Sequence, residues 1–63
     1  AVNIMKYKNF TEDDIKEFEA MDNDKLNIFL EISTSDLSFL KDSAQEFFRE
    51  QAEIVTNILE SRN

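Results

Sequence analysis

An all-α fold is expected for this chain from its turn residues, its apolar periodicity and its length. None of the 63 residues is Gly or Pro, although these make up about 7% and 5% of average proteins. Turns that need a positive φ must then use Asn or Asp, and the Asn-Gly and Asp-Gly signals of β-hairpins are missing. The length allows one domain, which we predict to be two short helices packed on one long C-terminal helix.

An N-terminal arm, residues 1–10, precedes the helices. Its apolar residues alternate with Lys6 and Lys8 over too short a stretch to distinguish a strand from an extended segment. We expect an arm that packs across a helix. The alternative is a short strand that pairs with a second copy of the chain.

The first helix is predicted over residues 12–21. Thr11 and Asp14 have the i, i+3 spacing of a capping box, with Asp in place of the usual Glu. Three consecutive acids fill the first turn, where the helix dipole favours negative charge. Phe10 precedes the cap and is placed to staple onto Ile15.

The second helix is predicted over residues 24–32, with Asp22 or Asn23 as its N-cap. Its apolar residues form two stripes that together cover more than half the circumference: Leu26, Ile28, Phe29, Leu30 and Ile32. Helices that are apolar on so many sides are typically buried between others. We therefore expect this helix to be the most buried of the three.

The third helix is predicted over residues 36–62, after a short connection in which Ser33, Thr34 or Ser35 serves as N-cap. Such a helix is about 40 Å long, whereas a compact chain of this size spans only about 27 Å. One end of its apolar stripe should therefore project beyond the rest of the chain and need a partner. The stripe covers roughly 160° of the helical wheel and comprises Leu37, Leu40, Ala44, Phe47, Phe48, Ala52, Ile54, Val55, Ile58 and Leu59.

We predict a homodimer, or a higher oligomer, in which the third helices of two copies pack together. Gln51 interrupts the stripe at heptad-like spacing, and a polar residue there can fix the register between helices. The alternatives are that Gln51 forms a hydrogen bond within its own chain or lies at a solvated edge, and that residues 1–10 cover the stripe. The predicted interface residues are Phe47, Gln51, Ile54, Val55, Ile58 and Leu59.

Phe39 lies off the main stripe, at about 200° on the same wheel. It either covers the loop before the helix or is exposed as an aromatic anchor for a partner. Aromatic anchors of this kind dominate many interface energies. We therefore keep Phe39 as a candidate partner anchor.

The formal net charge of −7 disfavours direct binding to nucleic acid and to anionic membranes, and favours basic partners. One alternative function is an acidic nucleic-acid mimic that inhibits a basic DNA- or RNA-binding protein. The simpler interpretation of the acids is a solvated face, with Arg49 offsetting its neighbours. The acids in question follow the polar side of the third helix: Asp42, Glu46, Glu50, Glu53 and Glu60.

Catalytic function is not expected, because the chain has no Cys and no His and therefore none of the usual nucleophile–base pairs or zinc sites. We expect no cofactor and no metal. No apolar segment approaches the ~20 residues that span a bilayer, and no signal peptide is recognisable, so a cytoplasmic location is expected. The predicted function is a regulatory or adaptor protein that acts through protein–protein interaction as a homo-oligomer, with a basic or helical protein as a further partner.

Overall fold

The computed structural model describes residues 7–62, which form three α-helices and no strand. Helix α1 spans Glu12–Glu19, α2 spans Asn23–Thr34 and α3 spans Asp42–Ser61. α3 packs extensively against α2 and less extensively against α1. The predicted architecture of two short helices on a longer C-terminal helix is confirmed. The choice between strand and coil for residues 1–6 lies outside the described residues.

α1 begins where the sequence predicts and ends earlier, at Glu19 rather than at residue 21. The predicted capping box is formed, because the Asp14 N–H donates to the Thr11 hydroxyl and the Thr11 N–H donates to the Asp14 carboxylate, at 3.3 and 3.0 Å. The helix closes through a tighter i→i−3 bond from the Met21 N–H to the Phe18 carbonyl.

α2 is longer than predicted at both ends, running over Asn23–Thr34 rather than 24–32. Asp22 is the N-cap, and its carboxylate accepts a 2.8 Å hydrogen bond from the backbone N–H three residues later. None of the three candidate N-caps of the third helix caps it: Ser33 and Thr34 remain in α2, and Ser35 is the C-cap of α2. The hydroxyls of Ser33 and Thr34 donate to carbonyl groups four residues back, a bond that helices accommodate in place of a cap.

α3 begins at Asp42, so the prediction of one helix over residues 36–62 is wrong at its N-terminal end. The cause is local. The carboxylate of Asp36 accepts the N–H of Ser38 at 3.0 Å, and such an Asx turn offers the backbone an alternative to the helix. Residues 35–41 therefore form a connection that is longer than the short one expected.

Helix α3, with the bounds that the structure gives it, does not extend beyond the rest of the molecule. Its 20 residues correspond to about 30 Å, and the longest dimension of the molecule is 36 Å. Helix length therefore gives no reason to require a partner, and the case for self-association has to rest on which surfaces are exposed.

The core lies between the three helices and residues 7–10 of the arm. Its centre is formed by Leu26 of α2 and Val55 of α3, both 0% exposed. Tyr7 and Phe10 are also buried, so residues 7–10 pack on the helices. The remaining buried apolar residues are Phe18, Ile54 and Ile58.

α2 is not the most buried helix, contrary to the prediction. Ile28 and Ile32 are exposed, whereas α3 buries four residues along one side. The reason is the number of neighbours. α3 is covered by both other helices, but α2 packs mainly on α3 alone, so one of the two apolar stripes of α2 is left facing solvent.

The C-terminal end of α3 is tied to the junction between α1 and α2. The guanidinium group of Arg62 donates to the backbone carbonyl of Glu19 at 2.7 Å and to the side-chain oxygen of Asn23 at 2.8 Å. The first bond satisfies a carbonyl at the end of α1 that has no partner within its own helix. It therefore holds the short α1 against the far end of the longest helix.

Candidate interaction surface

The predicted interface residues of α3 lie on the side of the helix that faces the core. Gln51, Ile54, Val55 and Ile58 are buried within a single chain, and Phe47 and Leu59 are half-buried against the same core. A second copy is therefore not needed to bury Gln51, Ile54, Val55 and Ile58, while Phe47 and Leu59 keep part of their surface in solvent. The role of these six residues in an interface between copies stays a prediction, and the exposed surfaces of the molecule offer a more direct candidate.

Gln51 forms a hydrogen bond within its own chain, which was one of the alternatives considered for it. Its side-chain N–H donates to the hydroxyl of Ser33 on α2 at 2.7 Å, and that hydroxyl donates to the carbonyl of Phe29 at 2.7 Å. Both Gln51 and Ser33 are buried. The pair therefore fixes how α2 sits against α3, a role that resembles register setting but acts between helices of one chain.

A carboxylate on α3 binds the described part of the arm. Glu50 accepts hydrogen bonds from the backbone N–H groups of Lys8 and Asn9 and from the side-chain amide of Asn9. An ionised carboxylate forms stronger hydrogen bonds than a neutral acceptor. Together with the burial of Tyr7 and Phe10, these bonds make residues 7–10 an integral part of the fold.

The outward side of α2 carries apolar residues that face solvent. Ile28 is 57% exposed and Ile32 is 47% exposed, and their i, i+4 spacing places them side by side on the helix. The second apolar stripe of this helix was visible in the sequence, but it was attributed to burial between helices. Whether such a stripe is buried or left in solvent depends on how many helices cover α2. The periodicity of the sequence does not give that number.

Phe39 is 79% exposed, the largest value among the exposed large apolar side chains of the described residues. It lies in the connection between α2 and α3. One interpretation of the sequence was that Phe39 covers the loop before the helix, and its exposure does not agree with that. The side chain is accessible, as a partner anchor must be. Its contact with a partner stays a prediction.

Within residues 7–62, open grooves adjoin α1. One, of about 260 Å³, is lined by residues that include Glu17, Phe18 and Phe29. Another, of about 310 Å³, lies between Ile15 and Ile58. Small-molecule sites are usually about 300–1,000 Å³ and place several polar groups together, so these grooves are at or below the lower end of that range and suit a single side chain.

The acidic row on α3 is not a uniform free surface. Glu50, in the middle of the row, is engaged by the arm, and Glu46 is only partly exposed. A mimic of a nucleic-acid strand needs evenly available charges along its length. The arrangement in the structure therefore does not favour the mimic over an ordinary solvated face.

Comparison of the chain with protein-family models, with curated proteins and with solved structures found no match. Within residues 7–62, none of the helices combines the length and the apolar character that a bilayer crossing requires. In the same part of the chain, acidic side chains do not come together in groups of three or more suited to a metal ion.

Proposed function

We propose that this chain is a small, non-enzymatic protein of regulatory or adaptor type that acts through contact with other proteins. One observation carries the proposal: Ile28, Ile32 and Phe39 keep 57%, 47% and 79% of their surface in water. Ile28 and Ile32 are adjacent on α2, and contiguous apolar surface that remains exposed in a folded chain marks interaction sites.

The energetics favour covering these side chains. Full burial of an Ile or Phe side chain stabilises by roughly 1.5–3 kcal/mol. About half of that surface is still in water for each isoleucine, and most of it for Phe39. Before polar contacts and ordering costs are counted, a partner that covers Ile28 and Ile32 would therefore gain on the order of 1.5–3 kcal/mol, and one that covers Phe39 on the order of 1–2.5 kcal/mol.

A capture experiment with matched variants tests the proposal. The baits are the immobilised wild-type chain, an Ile28→Ser/Ile32→Ser double variant, Phe39→Ser, and Asn27→Ser as a control on the exposed, non-apolar side of α2. Each bait is exposed to lysate of the source organism and to a differently tagged copy of the chain. Helical circular dichroism confirms that all four baits are folded, as expected because the substituted positions are exposed and Ile and Ser have similar helix propensities.

The expected result is a defined protein, or the tagged copy, that wild type and Asn27→Ser retain and that the apolar-to-Ser variants lose at least about tenfold. Identical retention by all four baits, or retention of nothing by any of them, would contradict the proposal. The ratio between baits carries the test, because a protein that binds only through charge would be retained equally by all of them.

A further inference from the structure

The solvent-facing side of α2 is patterned beyond its two isoleucines. On a helical wheel, Ile28 and Ile32 lie about 40° apart and form the centre. Lys25 lies at one edge, and Asp24 and Glu31 lie at the other. All five residues are exposed. We call this set the α2 outer face: an apolar centre with one cationic edge and one anionic edge.

The charge of the molecule is concentrated away from this face. Helix α1 contains five acids and one Lys, a net charge of −4, and α3 contains five acids and one Arg, also −4. α2 contains two acids and one Lys, a net charge of −1. A strongly basic partner would be drawn to α1 or α3, whereas α2 is the helix on which another acidic molecule can approach with least repulsion.

We infer that a second copy of this chain docks on the α2 outer face, with the two α2 helices parallel across a two-fold axis. In that arrangement the cationic edge of each helix meets the anionic edge of the other, as at the flanks of parallel coiled coils. In an antiparallel pair, like edges would meet. The inference rests on the proposed function and names its partner, and the self-complementary contact is the isologous type that two-fold dimers require.

The first test measures the dissociation constant of the pair by sedimentation equilibrium over a range of concentrations. Wild type is expected to move from 7.4 kDa to twice that mass. Ile28→Ser is expected to raise the dissociation constant about 30-fold, because about half of an Ile side chain is lost on each of the two copies. Asn27→Ser, exposed on the same helix but outside the face, should leave the constant unchanged.

The second test determines the orientation. The chain has no Cys, so a single introduced thiol reports one contact. Ser35→Cys is placed at the C-terminal end of the face, where parallel helices bring the two copies within the 4.4–6.8 Å Cα separation that a disulfide needs. An antiparallel pair centred on the isoleucines would hold them about 15 Å apart. Asn27→Cys is the matched control that should remain uncross-linked.

Each outcome bears on the inference. A concentration-dependent dimer that weakens in Ile28→Ser and cross-links through Ser35→Cys supports it. A monomer at every concentration up to about 1 mM, or a dimer indifferent to Ile28→Ser, overturns it. A weakened dimer without the cross-link overturns the parallel arrangement. If the chain is monomeric but still retains a different protein through Ile28, Ile32 or Phe39, the inference fails while the proposed function stands.

Discussion

Gln51 is a polar residue in an apolar stripe, and its partner explains why the stripe tolerates it. Its amide donates to Ser33, whose hydroxyl in turn donates to the backbone of α2. Burying an amide without a partner is strongly unfavourable, so the position of Ser33 is what permits Gln51 in the core. Neither residue could have been paired with the other from spacing alone, because they belong to different helices.

The Gln51–Ser33 pair predicts a coupled loss of stability. We expect Gln51→Ala to lower the free energy of unfolding by about 1–3 kcal/mol, because it removes a buried hydrogen bond and leaves unfilled space. Ser33→Ala should lower the free energy of unfolding less in the Gln51→Ala background than in the wild type, because the two side chains act as one unit. Urea unfolding measures both effects. Asn57→Ala, exposed on the same helix, is the control, and strictly additive losses would contradict the pairing.

Asp36 carries a second prediction. The backbone N–H of Ser38 and, to a lesser degree, its hydroxyl donate to the carboxylate and lower the pKa of Asp36 below its ordinary value of 3.8. A lowered pKa means that the ionised form stabilises the folded chain. That contribution is present above pH 3.8 and is lost as the pH falls through the lower folded-state pKa. An NMR titration that follows the side-chain carboxyl resonance of Asp36 measures its pKa in the folded chain.

The expected midpoint for Asp36 lies below 3.8, and Ser38→Ala should move it upward without restoring it fully, because the backbone donor, which has the larger effect, remains. A midpoint at or above 3.8 in the wild type would show that the turn at the start of residues 35–41 does not form in solution.

At the scale of the elements, the Glu50 carboxylate links residues 8 and 9 of the arm to α3. We expect Glu50→Ala to speed hydrogen exchange at the backbone amides of Lys8 and Asn9 at least about tenfold, because both donate to Glu50 in the fold. Exchange in the centre of α3 should change much less. NMR hydrogen exchange measures each amide separately. Glu46→Ala, one turn away on the same helix, is the control and should leave the arm amides unaffected.

The start of α1 was predictable from the sequence because its signals are local. Thr11, Asp14 and the acids of the first turn satisfy the helix end by themselves. The start of α3 was not predictable in the same way. Ser and Asp residues favour helix caps and Asx turns alike, and the sequence does not show that Asp36 would bond to Ser38 rather than cap a helix.

The exposed face of α2 was missed for a different reason. Two apolar stripes on one helix indicate two covered sides only when there are helices to cover both, and in this chain α2 has one main neighbour. The number of neighbours depends on where α1 and the arm pack. The six α3 residues predicted as an interface lie on the side of the helix that faces the core, and periodicity does not show that parts of the same chain bury four of them.

For the whole molecule, a small core implies a small reserve of stability. A chain of this size is expected to be stable by roughly 3–9 kcal/mol, and truncating a fully buried Leu costs about 2–5 kcal/mol. We therefore expect Leu26→Ala, at a position 0% exposed, to remove most of that stability and to leave a large unfolded fraction at 37 °C. Thermal circular dichroism measures this fraction.

Ile28→Ala is the matched control for Leu26→Ala, because it lies on the same helix and also removes apolar carbons, but from a side chain that is 57% exposed. It should lower the free energy of unfolding of the monomer by less than about 1 kcal/mol. Equal losses for the two substitutions would mean that α2 does not pack with Leu26 inward, and the described core would then be wrong.

The burial of Tyr7 gives the molecule its own optical reporter. It is the single tyrosine of a chain without tryptophan, and it is 7% exposed where the arm meets the helices. Tyrosine emission therefore follows the arm, while far-ultraviolet dichroism follows the helices. A tyrosine curve that melts below the dichroism curve would show residues 7–10 leaving the helices first, and coincident curves would show that residues 7–10 unfold with the helices as a single cooperative unit.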